Sequence, residues 1–205
     1  MKVALFGSTG RVGSKMLRQL LAEGHEVTVL VRDAGKLESH PQLTVVTGDA
    51  KNGADVHNTV QGADCVASAL GTDKSTVLSE AVPHMIAAME GLQIRRILTI
   101  GTAGILQSRL ESGRLRYEAG DSNRKLTRAA EEHHAAYRAL ADSALEWTIV
   151  CPTYLPDGKD TGTYRIEDDW LPEGGDRIST GDTAHFAVQE LSENGHVRHR
   201  VGIAY

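Results

Sequence analysis

Short apolar runs alternate with amphipathic stretches along most of this chain. Runs with the length of buried strands lie at residues 2–6, 26–31, 43–47, 63–69, 97–100 and 147–151. The stretches between them carry apolar residues at helical spacing, as at Met16, Leu20 and Leu21. Repeated units of this kind predict parallel strands joined by crossover helices. We therefore predict one α/β domain over residues 1–205, a doubly wound, mainly parallel sheet with helices on both faces.

The helices between these strands are predicted at residues 14–22, 53–61, 75–91, within 121–143 and at 180–193. Ser75 is placed to cap the third helix, and Pro83 implies that this helix has a kink or a late start. Residues 107–120 are charged and contain glycine, which predicts a mobile loop near the site. Residues 201–205 are predicted as a seventh strand or a docked tail.

The loop after the first strand is rich in glycine and has the sequence Gly7-Ser8-Thr9-Gly10-Arg11-Val12-Gly13. We expect Gly7 to allow a tight turn, Gly10 to let the backbone approach a pyrophosphate, and Gly13 to let the helix pack closely. Unpaired N–H groups at the start of the helix would face the phosphates. An ordinary glycine-rich turn is the alternative, but the three-residue spacing between a strand and a helix favours a dinucleotide-binding loop.

The residue that ends the second strand indicates which dinucleotide binds. Arg32 follows the run at 26–31, where an acidic residue would suit the ribose 2′-hydroxyl of NAD. The guanidinium group suits a 2′-phosphate, and Lys36 adds a second positive charge. Asp33 could face the ribose instead, although it is more simply a cap for the turn that follows. The sequence therefore favours NADP (NADPH) as the cofactor.

In a doubly wound sheet the ligand lies beyond the carboxyl ends of the strands. Further candidates for cofactor binding are therefore Asp49, Ala50, Leu70 and Gly71, which follow the third and fourth strands. Asp49 could accept a hydrogen bond from the adenine amino group or simply form a turn after Gly48. Leu70 and Gly71 could flank a cofactor ribose.

Composition excludes several classes of function. A formal net charge of −5, with few aromatic residues, gives no basic patch for nucleic acid. Cys65 and Cys151 lie far apart in apolar runs and are expected to be buried thiols in a reducing compartment. The first strand starts at once, and no apolar run reaches membrane-spanning length, so we expect a cytoplasmic protein without a membrane partner.

Several of these segments resemble one family, the atypical short-chain dehydrogenase/reductases of the NAD(P)H-binding, NmrA-like group. Within it the chain is most similar to the flavin reductase (biliverdin-IXβ reductase) branch. The similar stretches are Phe6–Gly10, Glu26–Asp33, Gly48-Asp49, Leu70–Thr72, Val77–Glu80 and Thr161–Tyr164. The resemblance implies NADP contacts at Gly7, Thr9, Gly10, Arg11, Val12, Arg32, Lys36, Asp49, Ala50, Leu70 and Gly71.

The usual catalytic pair of short-chain dehydrogenases, Tyr-x-x-x-Lys, is missing. Asp121 stands four residues after Tyr117, and Ala141 stands four residues after Tyr137. A flavin or quinone can accept hydride at its ring and take a proton from solvent, so it needs no dedicated acid. We therefore expect a flat acceptor of this kind, such as FMN or another flavin, as the small-molecule substrate.

Positions matched to the family place three residues beside the substrate. Thr102 stands where relatives have a serine after the fifth strand, and Tyr154 stands where they have a histidine after the sixth. The ring of Tyr154 could stack on a flat acceptor. His133 matches a histidine in the preceding helix, although beside His134 it could also belong to a solvated face.

Two other functions stay open, together with the roles of some charged residues. An NmrA-like regulator would bind NADP without turnover, and a reductase or isomerase of small carbonyl compounds could use Tyr154 or Tyr137 as its acid. His196 and His199 lack a third metal ligand and are expected at the surface, so no metal is predicted. The acidic residues within 157–169 are predicted to form a solvated loop, beside which Trp170 either covers substrate or packs that loop. We expect a monomer or a weak homodimer.

Overall fold

Eight strands form a single sheet in the computed structural model, which describes residues 1–72, 75–121 and 127–205. The strands are β1 Lys2–Phe6, β2 Glu26–Val31, β3 Leu43–Thr47, β4 Cys65–Ser68, β5 Arg96–Ile100, β6 Glu146–Pro152, β7 Arg165–Asp168 and β8 His199–Ala204. Their order across the sheet is β3-β2-β1-β4-β5-β6-β8-β7. Neighbouring strands are parallel, except that β7 runs antiparallel to β8. The predicted mainly parallel sheet is confirmed.

Helices cover both faces of the sheet. They are α1 Gly13–Ala22, α2 Gly53–Val60, α3 Val77–Gly91, α4 Arg116–Ala119, α5 Arg128–Asp142 and α6 Thr180–Glu193. One core cluster joins α1 and α6 to one face, and a second joins α2, α3 and α5 to the other. The crossover from β1 to β2 places α1 on one face, and the crossovers from β4 to β6 run in the opposite direction and place α3 and α5 on the other face.

The strand order reverses beside β1, which determines where a ligand can enter. Phe6 pairs with Leu30 of β2 on one side and with Ser68 of β4 on the other. The chain continues from β1 toward β2 on one side and from β4 toward β5 on the other, so the loops that follow β1 and β4 diverge. In doubly wound sheets this crevice, beyond the carboxyl ends of the strands, is where ligands bind.

Two details of α3 differ from the sequence prediction. Thr76, not Ser75, precedes the first helical residue, and the Ser75 hydroxyl donates to the Thr72 carbonyl. The helix begins at Val77, so Pro83 lies inside it and does not delay its start, whereas the alternative of a kink stays a prediction. Proline lacks the N–H for one helical hydrogen bond, and the packing of α3 against α2 and α5 offsets this loss. The part of the next predicted helix that falls on residues 122–126 lies outside the described residues.

The predicted solvated loop holds for Asp157 and Asp160, which are exposed and lie outside helices and strands, but not for the acidic residues that follow. Glu167 and Asp168 belong to β7, which pairs with β8, and are not part of a solvated loop. Both carboxylates have side-chain partners, since Glu167 forms an ion pair with Arg109 and Asp168 is 2.6 Å from Nδ1 of His196. A polar run on an edge strand carries little hydrophobic periodicity, so the pattern could not identify it. Residues 201–205 do enter a strand, β8, as one of the two alternatives predicted.

The segment 107–120 has more structure than predicted. It contains α4, and Gln107 forms an isolated antiparallel bridge with Leu115. The Ser108 hydroxyl donates to Asp121, and the Arg109 side chain contacts Glu167. Side-chain contacts of this range leave no local signal in the sequence, so the sequence pattern predicts only a loop.

The two cysteines are buried, as predicted, and both are free thiols. Burial raises the pKa of Cys65 to about 11 and that of Cys151 to about 12, so both stay protonated near neutral pH. Among the described helices, none is long and apolar enough to cross a membrane.

Candidate dinucleotide site and adjoining cavity

Two glycines of the loop after β1 allow backbone contacts that no side chain would permit. Gly7 has φ +76°, and a Cβ there would lie 2.5 Å from the carbonyl oxygen of Ala69. A Cβ on Gly13 would lie 2.1 Å from the carbonyl oxygen of Gly7. These contacts hold β1, the loop after β4 and the start of α1 together. They supply the close helix–strand packing expected from the spacing of the glycines.

Gly10 differs in role from Gly7 and Gly13, because it lies in the wall of an open groove. A Cβ at Gly10 would stand 3.2 Å from the Gly7 carbonyl oxygen, which is tight but not impossible. The Gly10 N–H donates to that same oxygen at 3.0 Å, while the N–H groups of Thr9, Arg11 and Val12 have no acceptor within the described ranges. Unpaired N–H groups at a helix start fit an anionic phosphate. A pyrophosphate therefore suits this loop.

The other residues of the loop have separate positions. Ser8 is fully buried, and its hydroxyl finds no hydrogen-bond partner in the described part of the chain. Val12 is buried at the start of α1. Arg11 bonds through Nε to Asp157 at 2.9 Å and through Nη2 to the carbonyl of Leu155 at 2.6 Å. The Arg11 side chain thus joins the loop to the segment after β6, and its predicted contact with the cofactor stays a prediction.

The groove has a volume of about 380 Å³ and lies at the carboxyl ends of β1, β2, β3 and β4. Most of the predicted cofactor positions line it, namely Gly7, Thr9, Gly10, Arg32, Asp49, Ala50, Leu70 and Gly71. The groove is also lined by residues that the sequence did not assign to cofactor binding, among them Lys51, Ser75 and Val77. The groove is therefore the place where the separate strand-end residues meet.

The two cations assigned to a 2′-phosphate line adjoining cavities. Arg32 is exposed at the end of β2 and lines the groove, whereas Lys36 lines a neighbouring cavity. Thr9 lines both, so the two openings meet at the glycine loop. Asp33 accepts from the Gly35 N–H at 3.0 Å. Asp33 is therefore the cap of the following 3₁₀ turn, as predicted.

Asp49 is a turn residue, which is one of the two roles that the sequence left open, and its contact with adenine stays a prediction. One carboxylate oxygen accepts from the Lys51 N–H at 2.9 Å, which makes Asp49 a turn residue, and the residue also lines the groove. The Lys51 ammonium is 2.9 Å from Glu80 and also donates to Thr76. Thr76 and Lys51 donate hydrogen bonds to Glu80, which lower its pKa. These contacts fix the rim of the groove to α3.

A second cavity, of about 430 Å³, lies at the carboxyl ends of β5 and β6. Thr102 and Tyr154 both line it, so the structure brings two of the three predicted catalytic residues together. The Thr102 hydroxyl accepts from the Gly104 N–H at 3.4 Å and caps a 3₁₀ turn. Tyr154 is 61% exposed, which leaves its ring accessible to a ligand.

One lining residue of the same cavity, Tyr117, forms a polar contact that was not predicted from the sequence. Tyr117 lines the wall, and its hydroxyl is 2.9 Å from Nδ1 of His134. Burial and the nearby Glu118 raise the pKa of Tyr117, and burial lowers that of His134. The tyrosine is therefore protonated near neutral pH, and the imidazole is neutral. Seventeen positions separate the two residues, so no spacing in the sequence indicates the contact.

His133 and Tyr137 lie elsewhere. His133 contributes to a small void of about 10 Å³ with Ser68 and Thr99, behind the strand ends. Burial lowers its pKa to about 4, and its ring has no hydrogen-bond partner among the described residues. Tyr137 packs edge-on against Trp147 with ring centroids 5.7 Å apart, in another cavity. The catalytic role of His133 stays a prediction, and Tyr137 is outside the cavity of Thr102.

The histidines near the C-terminus pair with acids. His196 Nδ1 is 2.6 Å from Asp168, and His199 Nδ1 is 2.9 Å from Asp169. The described residues contain no group of three or more metal-ligating side chains of the His, Cys, Asp or Glu type. These two pairs fix the turn after β7 to the start of β8.

The strand order, the glycine loop and the groove at the switch point define a Rossmann-type dinucleotide-binding protein. A family model described as NAD(P)H-binding matches residues 7–194. The chain belongs to this NAD(P)H-binding family, in agreement with the resemblance stated from the sequence.

Solved structures agree over the whole chain. A candidate NADH-flavin reductase from Streptococcus pneumoniae is 25% identical with a TM-score of 0.85, covering 100% of this chain and 99% of that one. A candidate epimerase from Bacteroides thetaiotaomicron is 26% identical with a TM-score of 0.86, covering 100% and 96%. A wide-type short-chain dehydrogenase/reductase from Veillonella parvula, in complex with NADP, shares the fold at 18% identity and a TM-score of 0.80, covering 100% and 94%. These neighbours are consistent with an atypical short-chain dehydrogenase/reductase.

Proposed function

We propose that this protein is an NADPH-dependent reductase whose acceptor is a flat, conjugated molecule such as a flavin or a quinone. The observation that carries the proposal is the open cavity of about 430 Å³ beside the dinucleotide groove. Its volume is within the range of small-molecule sites, which is about 300–1,000 Å³. A protein that only sensed NADP would not need a second opening of substrate size at this place.

The residues of the groove have defined roles in this proposal. The backbone at Gly7, Thr9 and Gly10 would hold the pyrophosphate, and Arg32 would bind the 2′-phosphate. Asp49 would accept from the adenine amino group, and Leu70 would pack against the ribose. NADPH, once bound, supplies a hydride to the acceptor. The protein supplies orientation, because neighbouring strand ends set the groove and the cavity side by side.

The wall of the cavity suits an acceptor that needs little acid catalysis. The exposed ring of Tyr154 offers a flat surface for stacking, and Thr102 offers a hydroxyl. Tyr117 is the side chain best placed for the carbonyl alternative, because it is a protonated phenol bonded to His134. No lysine stands four residues after it, and burial together with the nearby Glu118 raises its pKa, contrary to the need of a short-chain dehydrogenase acid.

The proposal is tested by following NADPH oxidation with FMN, riboflavin, menadione and a simple aldehyde as acceptors, with NADH in parallel. We expect turnover with a flavin or quinone and a preference for NADPH. The Tyr117→Phe variant is the matched control, because it should retain flavin and quinone turnover. Loss of activity in that variant, with the aldehyde as best substrate, would favour the carbonyl reductase. Tight NADPH binding without turnover on any acceptor would favour the sensor.

A further inference from the structure

A separate cavity, of about 500 Å³, lies near the amino ends of β6 and β8, away from the strand ends that form the dinucleotide groove. Trp147 is the second residue of β6 and Arg200 the second of β8. The remaining wall comes from α5, the turn after β7 and the segment after β5. Its lining residues are Gln107, Ser112, Gly113, Tyr137, Trp147, Asp169, Trp170, Arg198 and Arg200.

Hydrogen-bond donors in this wall lack acceptors. Trp147 is 4% exposed, and its indole N–H has no hydrogen-bond partner in the described part of the chain. An unpaired buried donor of this kind costs about 1–3 kcal/mol, so proteins rarely retain one without a reason. The Tyr137 hydroxyl and the Gln107 amide likewise have no partner among the described residues. The wall can therefore satisfy additional acceptor atoms.

The charges of the wall favour an anion. Arg200 is 3% exposed, and its Nε and Nη1 bond to Asp169 and to the carbonyl of Ile105. Its Nη2 has no acceptor within the described ranges. Arg198 is exposed and adds a second cation. The one carboxylate, Asp169, is already bonded on both oxygens, to Arg200 and to His199.

The apolar part of the wall is aromatic. Trp147 and Tyr137 meet edge-on, and the Arg200 guanidinium carbon lies 4.5 Å from the centroid of the Tyr137 ring. Trp170 is the third ring, and the guanidinium carbon of Arg109 lies 5.1 Å from its centroid. Several aromatic rings with guanidinium groups close to them accommodate a flat, conjugated body that ends in an anionic group. Inorganic phosphate, by contrast, would leave these rings without a partner.

We propose that this cavity is a second small-molecule site, which binds an aromatic carboxylate. The carboxylate accepts hydrogen bonds from the guanidinium groups of Arg198 and Arg200, from the unpaired indole and from the Tyr137 hydroxyl. The ring of the ligand packs among the aromatic side chains. The site is independent of the proposed reductase activity, because it shares no lining residue with the groove or with the cavity of Thr102.

Tryptophan fluorescence tests the proposal directly, because the chain has two tryptophans and both line this cavity. Benzoate is the probe, and benzamide is its neutral isostere. We expect benzoate to change the emission saturably and benzamide to bind about tenfold more weakly, since it loses charge-assisted hydrogen bonds. In a ¹H–¹⁵N spectrum, the indole cross-peak that remains in Trp170→Phe should move on addition of benzoate.

Variants separate a specific site from general binding. Arg198→Gln should weaken benzoate about tenfold, and Tyr137→Phe about threefold. Arg18→Gln on α1 makes the same change of charge away from the cavity and should have no effect. Tyr137→Phe removes a hydroxyl that has no partner, so this variant should fold normally even if Arg198→Gln does not. The proposal is overturned by an unsaturable response, by equal responses to benzoate and benzamide, or by full benzoate affinity in Tyr137→Phe and Arg198→Gln.

Discussion

The dinucleotide groove and the cavity of Thr102 lie at the same edge of the sheet but are constructed from different parts of the chain. The groove depends on close backbone contacts. At Gly7 and Gly13 the strand, the loop and the helix approach one another so closely that a Cβ has no space. The cavity depends on side chains from separate segments, and its polar groups Tyr117 and His134 meet across 17 positions. The groove should therefore be rigid and intolerant of substitution, whereas the cavity should accept changes that tune the acceptor.

The strongest test of this difference between the groove and the cavity is to add one methyl group to the glycine loop. In Gly13→Ala the new Cβ would need the space of the Gly7 carbonyl, which lies 2.1 Å away. We expect the free energy of unfolding to fall by about 3 kcal/mol and NADPH binding to be lost. Urea unfolding and a fluorescence titration with NADPH measure the two effects.

Gly91→Ala is the matched control, because a Cβ there meets nothing within 4 Å and the residue ends α3. Alanine is the better helix former, so this variant should be unchanged or more stable by up to about 1 kcal/mol. Equal losses in both variants would refute the claim that close backbone contact defines the groove.

The second prediction concerns the specificity of the groove. Arg32→Gln removes the guanidinium proposed for the 2′-phosphate, while NADH has no such phosphate. The Kd for NADPH should rise about thirtyfold, as expected for a lost charge-assisted pair, and the Kd for NADH should change less than twofold. Isothermal titration with each cofactor measures both constants. Lys15→Gln on α1 serves as the charge control, and a parallel rise for both cofactors would contradict the assignment.

The sequence predicted the groove better than the cavity for a physical reason. The glycine loop is a local motif, and Arg32, Asp49 and Leu70 each follow an apolar run that the hydrophobic pattern identifies. Because parallel strands bring their carboxyl ends to one edge, the topology alone places these residues together. Knowledge of their three-dimensional neighbours was not needed.

The cavity includes contacts that no local pattern encodes. His134 reaches Tyr117 because α5 packs beside α4 and its loop, whereas the adjacent His133 lies beside a small void among the strand ends. Two neighbouring histidines on a helix point in different directions, and sequence alone does not show which one faces the site. The edge strand β7 was missed for a similar reason, since its carboxylates are balanced by partners distant in the chain.

The third prediction uses the environment of His133, behind the cavity. Its pKa is about 4 in the folded protein against an ordinary value of 6.5, so the unfolded chain binds the proton more readily. The stability associated with neutral His133 is complete above pH 6.5 and is lost as the pH falls toward 4. The slope should reach about 1.4 kcal/mol per pH unit within that window.

His133→Gln removes this titration, so its stability should depend less on pH than that of the original chain. Thermal or urea unfolding at several pH values between 7.5 and 4.5 measures the difference between the two slopes. Parallel pH profiles for the two proteins would show that the imidazole is hydrated in the folded state, contrary to the environment described.

The smallest expected effect concerns the cavity itself, at Tyr154. If its ring acts as a flat surface for the acceptor, Tyr154→Phe should keep kcat/KM for FMN within about twofold, because the stacking face remains. Tyr154→Ala removes that face and should raise KM about tenfold with little change in kcat, since the lost contact serves binding. Tyr164→Phe, a tyrosine that bonds to His185 on α6, is the control for loss of a phenol elsewhere. A fall in kcat of a hundredfold in Tyr154→Phe would instead make the phenol a proton donor, and the cavity would then be as intolerant of substitution as the groove.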